Sequence, residues 1–133
     1  MTGTQRYRSI EMKIARWIVV ANAAQARLLA HDVATDSLVL LHRMLHRASR
    51  APGRPLESPR EFAREIAEYV DDAHAHAEFD TLCIAAPSPF LGELERELSG
   101  AVHQTLGATV DTDLTTLDLR QLLHRLRALH ADA

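Results

Sequence analysis

The stretch from Phe79 to Leu98, FDTLCIAAPSPFLGELEREL, restricts the possible folds more than any other part of the chain. Thr81–Ala86 is an uninterrupted run of small apolar residues. It is too short for a helix and rich enough in β-formers to be a strand buried on both faces. Pro87-Ser88-Pro89 follows as a turn, with Ser88 placed to cap an amphipathic helix and Pro89 in its first turn. Leu91, Leu94 and Leu98 share one side of that helix, and Ser99-Gly100 ends it, glycine suiting the left-handed end position. A strand covered on both faces needs helical layers against it, which predicts a layered α/β domain.

Upstream, Arg16–Ala21 (RWIVVA) reads as a strand, Ala26–Val33 (ARLLAHDV) as a second and Leu38–His46 as a third. Short polar or small connections between them predict an antiparallel meander. Arg47–Glu57 (RASRAPGRPLE) is a loop with nothing to bury. Ser58 then offers an N-cap, Pro59 the first helical position and Glu61 the third residue of a capping box. The helix so begun runs to about Ala77, with Phe62, Ile66, Tyr69 or Val70, Ala73 and Ala77 inward and Glu65, Glu68, Asp71 and Asp72 outward. Past the central unit, Ala108–Thr112 is a strand. Thr115 opens the last helix with Asp118 three residues on. Leu119, Leu122, Leu123, Leu126 and Leu129 form its apolar seam, and Arg125, Arg127 and His130 complement its dipole. Right-handed crossovers make the strands beginning at Arg16, Thr81 and Ala108 parallel. The expectation is a β-β-β-α-β-α-β-α chain folding into a five-stranded mixed sheet of order 3-2-1-4-5, the ribonuclease-H-like plan, with helices packed on the sheet. Residues 1–14 are read as a tail and 15–133 as a single domain.

The apolar runs fall far short of the roughly 20 residues a membrane helix needs, so no membrane partner is expected. The polar, basic N-terminus is not a secretory signal, and the single cysteine, Cys83, excludes an internal disulfide; both suit a cytoplasmic setting. Residues 1–60 carry ten Arg or Lys against four acids, whereas residues 61–133 carry five against fourteen. That basic half suits a phosphate-bearing partner. Fourteen of the fifteen basic residues are arginine, however, so an arginine-rich loop is partly a habit of the whole chain.

WIVVANAAQARLL (Trp17–Leu29), FAREIAEYVDDA (Phe62–Ala73), FDTLCIAAPSPFLGEL (Phe79–Leu94) and VDTDLTTLDLRQLL (Val110–Leu123) together resemble the bacterial host attachment protein family, named for proteins required for attachment to host cells. The resemblance runs from about residue 15 to 128. Its most specific pieces are Phe79-Asp80…Ala86-Pro87…Phe90-Leu91-Gly92 and the turn Asp113-Leu114-Thr115. That family is in turn similar to the middle domain of archaeo-eukaryotic peptide-chain release factors, whose Gly-Gly-Gln tip enters the ribosomal peptidyl-transferase centre. The corresponding loop, Arg47–Glu57, has one glycine and no glutamine, so the resemblance does not extend to peptidyl-tRNA hydrolysis. The chain also departs from the family pattern at Asn22-Ala23, where an acid and a glycine are usual, and at Thr112, where a basic residue is.

The carboxyl ends of the three parallel strands should meet at one sheet edge, where open α/β folds bind ligands. They present Asn22, Pro87, Ser88, Asp111, Asp113 and Thr115, a candidate edge for an ion or anion, or else a set of caps and turn residues. Two carboxylates are thin for a two-metal nuclease. His74 and His76 diverge on a helix, and His42 and His46 lie about 13 Å apart along a strand, so no metal or cofactor is expected. Cys83 reads as an inert core thiol. Arg43, Arg47, Arg50 and Arg54 form the densest basic segment, a candidate phosphate-docking loop without nearby aromatic stacking platforms. Leu38–Leu45 is apolar at nearly every position although it falls at the sheet margin, which predicts a homodimer. The functional expectation is a non-enzymatic domain acting by macromolecular contact, with no assigned catalytic residue and no DNA partner. A ribosome- or RNA-associated, release-factor-like role is the alternative, and a small metal-dependent hydrolase using Asp111, Asp113 and Asn22 ranks third.

Overall fold

The computed structural model describes residues 16–46 and 58–131. The expected tail 1–14, and the loop 47–57 with Arg47, Arg50 and Arg54, lie outside the described residues, as do the side chains of Leu129 and His130. The chain runs β1 (Arg16–Ala21), β2 (Gln25–Asp32), β3 (Ser37–Leu45), α1 (Pro59–Ala75), β4 (Thr81–Ala85), α2 (Phe90–Glu97), α3 (Gly100–His103), β5 (Leu106–Val110) and α4 (Leu119–Ala131). One five-stranded sheet is ordered β3-β2-β1-β4-β5. The β1–β4 and β4–β5 pairs are parallel, and the β1–β2 and β2–β3 pairs antiparallel, as the crossover argument requires.

Burial follows from strand position. In β4, Leu82 and Ile84 are fully buried on one face while Cys83, 5% exposed, is buried on the other. β1 alternates likewise, with Trp17 and Val19 toward one cluster and Ile18 and Val20 toward the other. The larger cluster packs α1, α2 and α3 through Phe62, Ile66, Val70, Leu94 and Val102. The smaller one packs α4 through Leu122 and Leu126. Two helical layers thus sandwich the central strands, and each apolar run is long enough for one pass through that sandwich.

Several element ends differ from expectation, each for a local reason. Helix α1 has the full Ser58/Glu61 capping box but stops at Ala75; Ala77 is exposed and left-handed, with φ of 58°. Helix α2 begins at Phe90 without a side-chain cap, because Ser88 is drawn to Asp111 instead. Gly100 does not end α2. Leu98 leaves the helix in an extended conformation, and Ser99 caps α3 by accepting from the Val102 amide at 3.2 Å, so glycine opens a helix there. Strand β5 lies two residues earlier than expected, at Leu106–Val110. The start of α4 falls to Asp118, which exchanges backbone and side-chain bonds with Gln121 (2.8 and 2.9 Å). Thr115 does not open it, since its hydroxyl is held by Asp113.

Candidate functional site

The carboxyl ends of β1, β4 and β5 do meet at one rim, and its polar side chains bond mainly to one another. Asn22 follows β1. Its Nδ2 donates to Asp113 Oδ2 at 2.9 Å and to Thr115 Oγ1 at 3.2 Å. Asn22 Oδ1 accepts from the Ala24 and Gln25 amides at 2.8 and 2.9 Å, which shapes the β1–β2 turn. Asp113 Oδ1 takes both the amide and the hydroxyl of Thr115, at 2.9 and 2.6 Å. Thr115 is itself buried, 8% exposed. A second lock ties β4 to β5: Asp111 accepts from the Ser88 amide at 2.8 Å and the Ser88 hydroxyl at 2.7 Å. Pro87 contributes only its carbonyl, which accepts from the Leu91 amide at 3.1 Å.

These contacts set the electrostatics. The Ser88 hydroxyl and then its amide hold the Asp111 carboxyl below the usual range. Partial burial pushes the Asp113 carboxyl up, but the bonds from Asn22 and Thr115 outweigh it and leave that group lowered too. Both acids are therefore firmly ionised acceptors near neutral pH.

Sequence reasoning missed Arg27. Its Nη2 donates to the carbonyls of Leu114 (3.2 Å), Thr115 (3.0 Å) and Leu117 (2.7 Å), clamping the loop that carries Asp113. Burial lowers the Arg27 pKa, Arg43 lowers it further and Asp118 opposes them. The signal available was one arginine inside the otherwise apolar run ARLLA. Arg43 sits directly across from Arg27 in the β2–β3 register. The end of β3 adjoins the same rim, with the His46 amide donating to the Ala24 carbonyl at 2.9 Å.

Three histidines pack on rings. His42 stacks on Tyr69 (centroids 4.4 Å apart, planes 4° apart), His46 meets Phe62 edge-on, and His74 lies against Phe79. Among the described residues no three His, Cys, Asp or Glu side chains group as metal ligands, and no helix is long and apolar enough to cross a membrane. Burial pushes the Cys83 thiol up to about 11, which suppresses its thiolate.

Residues 56–126 match the family model described as "Protein required for attachment to host cells". That is more than half of the chain, although shorter than the resemblance, which reaches back to about residue 15. No curated protein matches. A solved structure described as an archaeal protein is similar with a TM-score of 0.62 and 16% identity over 98% of this chain. The archaeal translation termination factor aRF1 is similar with a TM-score of 0.52 and 13% identity over 88% of it. Saccharomyces cerevisiae Dom34, described as a translation termination-like factor involved in RNA quality control and interacting with Hbs1, gives a TM-score of 0.56 and 11% identity over 92%. The chain spans 42%, 39% and 38% of those three chains, and at such identities the likeness is one of fold.

Proposed function

The chain belongs to the family of proteins required for attachment to host cells, and from that membership we propose that it is a non-catalytic domain acting by macromolecular contact. The observation that carries this reading is the pair of rim locks. Asp111 and Asp113, the acids a hydrolase would use, are spent on Ser88, Asn22 and Thr115. Asn22, Pro87, Ser88, Asp111, Asp113 and Thr115 then act as a shape-fixed edge of the contact surface. Arg43, followed in sequence by Arg47, Arg50 and Arg54, is its phosphate-docking side. Calorimetric titration with Mg²⁺ or Mn²⁺ tests the hydrolase alternative; saturable heat that disappears in Asp111→Asn overturns the non-catalytic reading.

A second reading, association with RNA or the ribosome, is favoured by the fold shared with a termination factor and a termination-like factor. Loop Arg47–Glu57 lacks the Gly-Gly-Gln sequence, so peptidyl-tRNA hydrolysis is no part of it. Sedimentation with ribosomes through a sucrose cushion separates the two readings. The RNA reading expects co-sedimentation that falls steeply with added salt, and sedimentation apart from ribosomes at low salt rejects it.

The cytoplasm and a homodimer complete the proposal. Val39, Leu40 and Leu41 are 46%, 37% and 40% exposed, at the middle of an edge strand where natural sheets favour charge. A second copy would cover them. Light scattering at micromolar concentration should give twice the monomer mass, and Leu41→Lys should halve it with the far-UV spectrum retained. A monomeric wild-type mass rejects the dimer.

A further inference from the structure

We propose that Arg27 and Arg43 together hold one phosphate-class oxyanion, on the sheet face that carries α4 and at the rim end of β2 and β3. The two are register partners, so their side chains leave the same face of the sheet. That face is the α4 side, because Arg27 reaches the carbonyls of Leu114 and Leu117, whose side chains pack in the α4 cluster. Like charges directly opposite one another in a sheet are destabilising. Here the pair has no route of escape through Arg27, whose guanidinium is pinned by three carbonyls. Arg43 is exposed and, among the described residues, makes no hydrogen bond or ion pair.

Among the described residues no carboxylate forms an ion pair with either guanidinium. Asp118 acts on Arg27, but its Oδ1 accepts from the Gln121 amide at 2.8 Å as the cap of α4. Both oxygens of Asp113 are occupied by Asn22 and Thr115. The Nε–H of Arg27 is buried without an acceptor, a further sign that donors outnumber acceptors around this guanidinium. The anion meets the solvent side of the pair rather than that atom, converting a repulsive contact into a bridged one. Guanidinium pairs suit phosphate oxygens because their planar forks donate to two oxygens at once.

The inference rests on the phosphate-docking reading above and narrows it to two residues and one face. Its test uses inorganic phosphate and, separately, a single-stranded oligoribonucleotide, on the full chain and on Arg43→Thr. Thermal melting in phosphate is compared with chloride at equal ionic strength, and the Arg27 Nε–H resonance is followed by NMR. Phosphate is expected to raise the wild-type melting temperature in proportion to the logarithm of its concentration above Kd and to shift the Nε–H signal. Arg43→Thr should lose both effects while melting no lower than wild type in chloride, an outcome that a purely structural arginine would not produce. In the RNA arm, the slope of log K against log salt should fall by about 0.7 in the variant. Phosphate effects lost in Arg43→Thr with the RNA slope unchanged support the site with free phosphate as its ligand and reject RNA docking there. Phosphate acting no differently from chloride, or equally on both proteins, overturns the site even where RNA binds.

Discussion

Asp113 concentrates what individual residues contribute here. It accepts three hydrogen bonds, one from Asn22 in the turn after β1 and two from Thr115 in its own loop before α4, and those bonds outweigh its partial burial to leave its pKa lowered. A carboxyl whose folded pKa is lowered contributes stability that is fully present above its ordinary value near 4 and is lost as pH falls through the folded value. Asp113→Asn is therefore expected to cost about 1 kcal/mol at pH 7, discounted for exposure. It should also flatten the decline of stability below about pH 4, read from urea midpoints taken across that range. An unchanged acid limb would show that the lock contributes nothing to acid sensitivity. Asn22, Asp113 and Thr115 were legible as residues of one edge because each follows or precedes a predicted strand. Their mutual bonding was not legible, since Asn22 and Asp113 are 91 positions apart.

At the scale of elements, local sequence signals worked where side chain and backbone lie within one turn of each other. Ser58, Pro59 and Glu61 mark the start of α1, and both bonds of the capping box are formed, at 2.8 and 3.1 Å. Ser58→Ala is expected to cost about 1 kcal/mol and to lower the thermal midpoint, with the far-UV spectrum retained. A loss of only a tenth of that would mean the helix is held by its buried face alone. Signals failed where two partners competed for one side chain. Ser88 has a cap's sequence position but bonds to Asp111, 23 residues on, and Thr115 has a cap's position but bonds to Asp113 and Asn22. Ser99-Gly100 failed for a related reason, because serine captured the next amide run before glycine could take the left-handed position.

The whole molecule is a sheet with two unequal cores sharing β1 and β4. Because adjacent residues of those strands face opposite cores, neither core can be lost while the other keeps its walls. Phe62→Ala on the larger side and Leu122→Ala on the smaller are each expected to destabilise by about 3 kcal/mol. Both should shift one coincident transition seen by circular dichroism and by Trp17 fluorescence. Two separated transitions would show that the layers unfold independently.

What the sequence determined by itself is the sheet plan. The apolar runs, their lengths and the alternation of strand with amphipathic helix left few topologies once crossovers are right-handed, and the 3-2-1-4-5 order is the one observed. Only the tertiary structure decided which polar groups satisfy one another. Hydrogen-bond partners such as Asn22 with Asp113, Ser88 with Asp111 and Arg27 with the 114–117 carbonyls are set by which strand ends the sheet brings together. Burial periodicity is a property of neighbours along the chain, whereas pairing of polar groups is a property of neighbours in space.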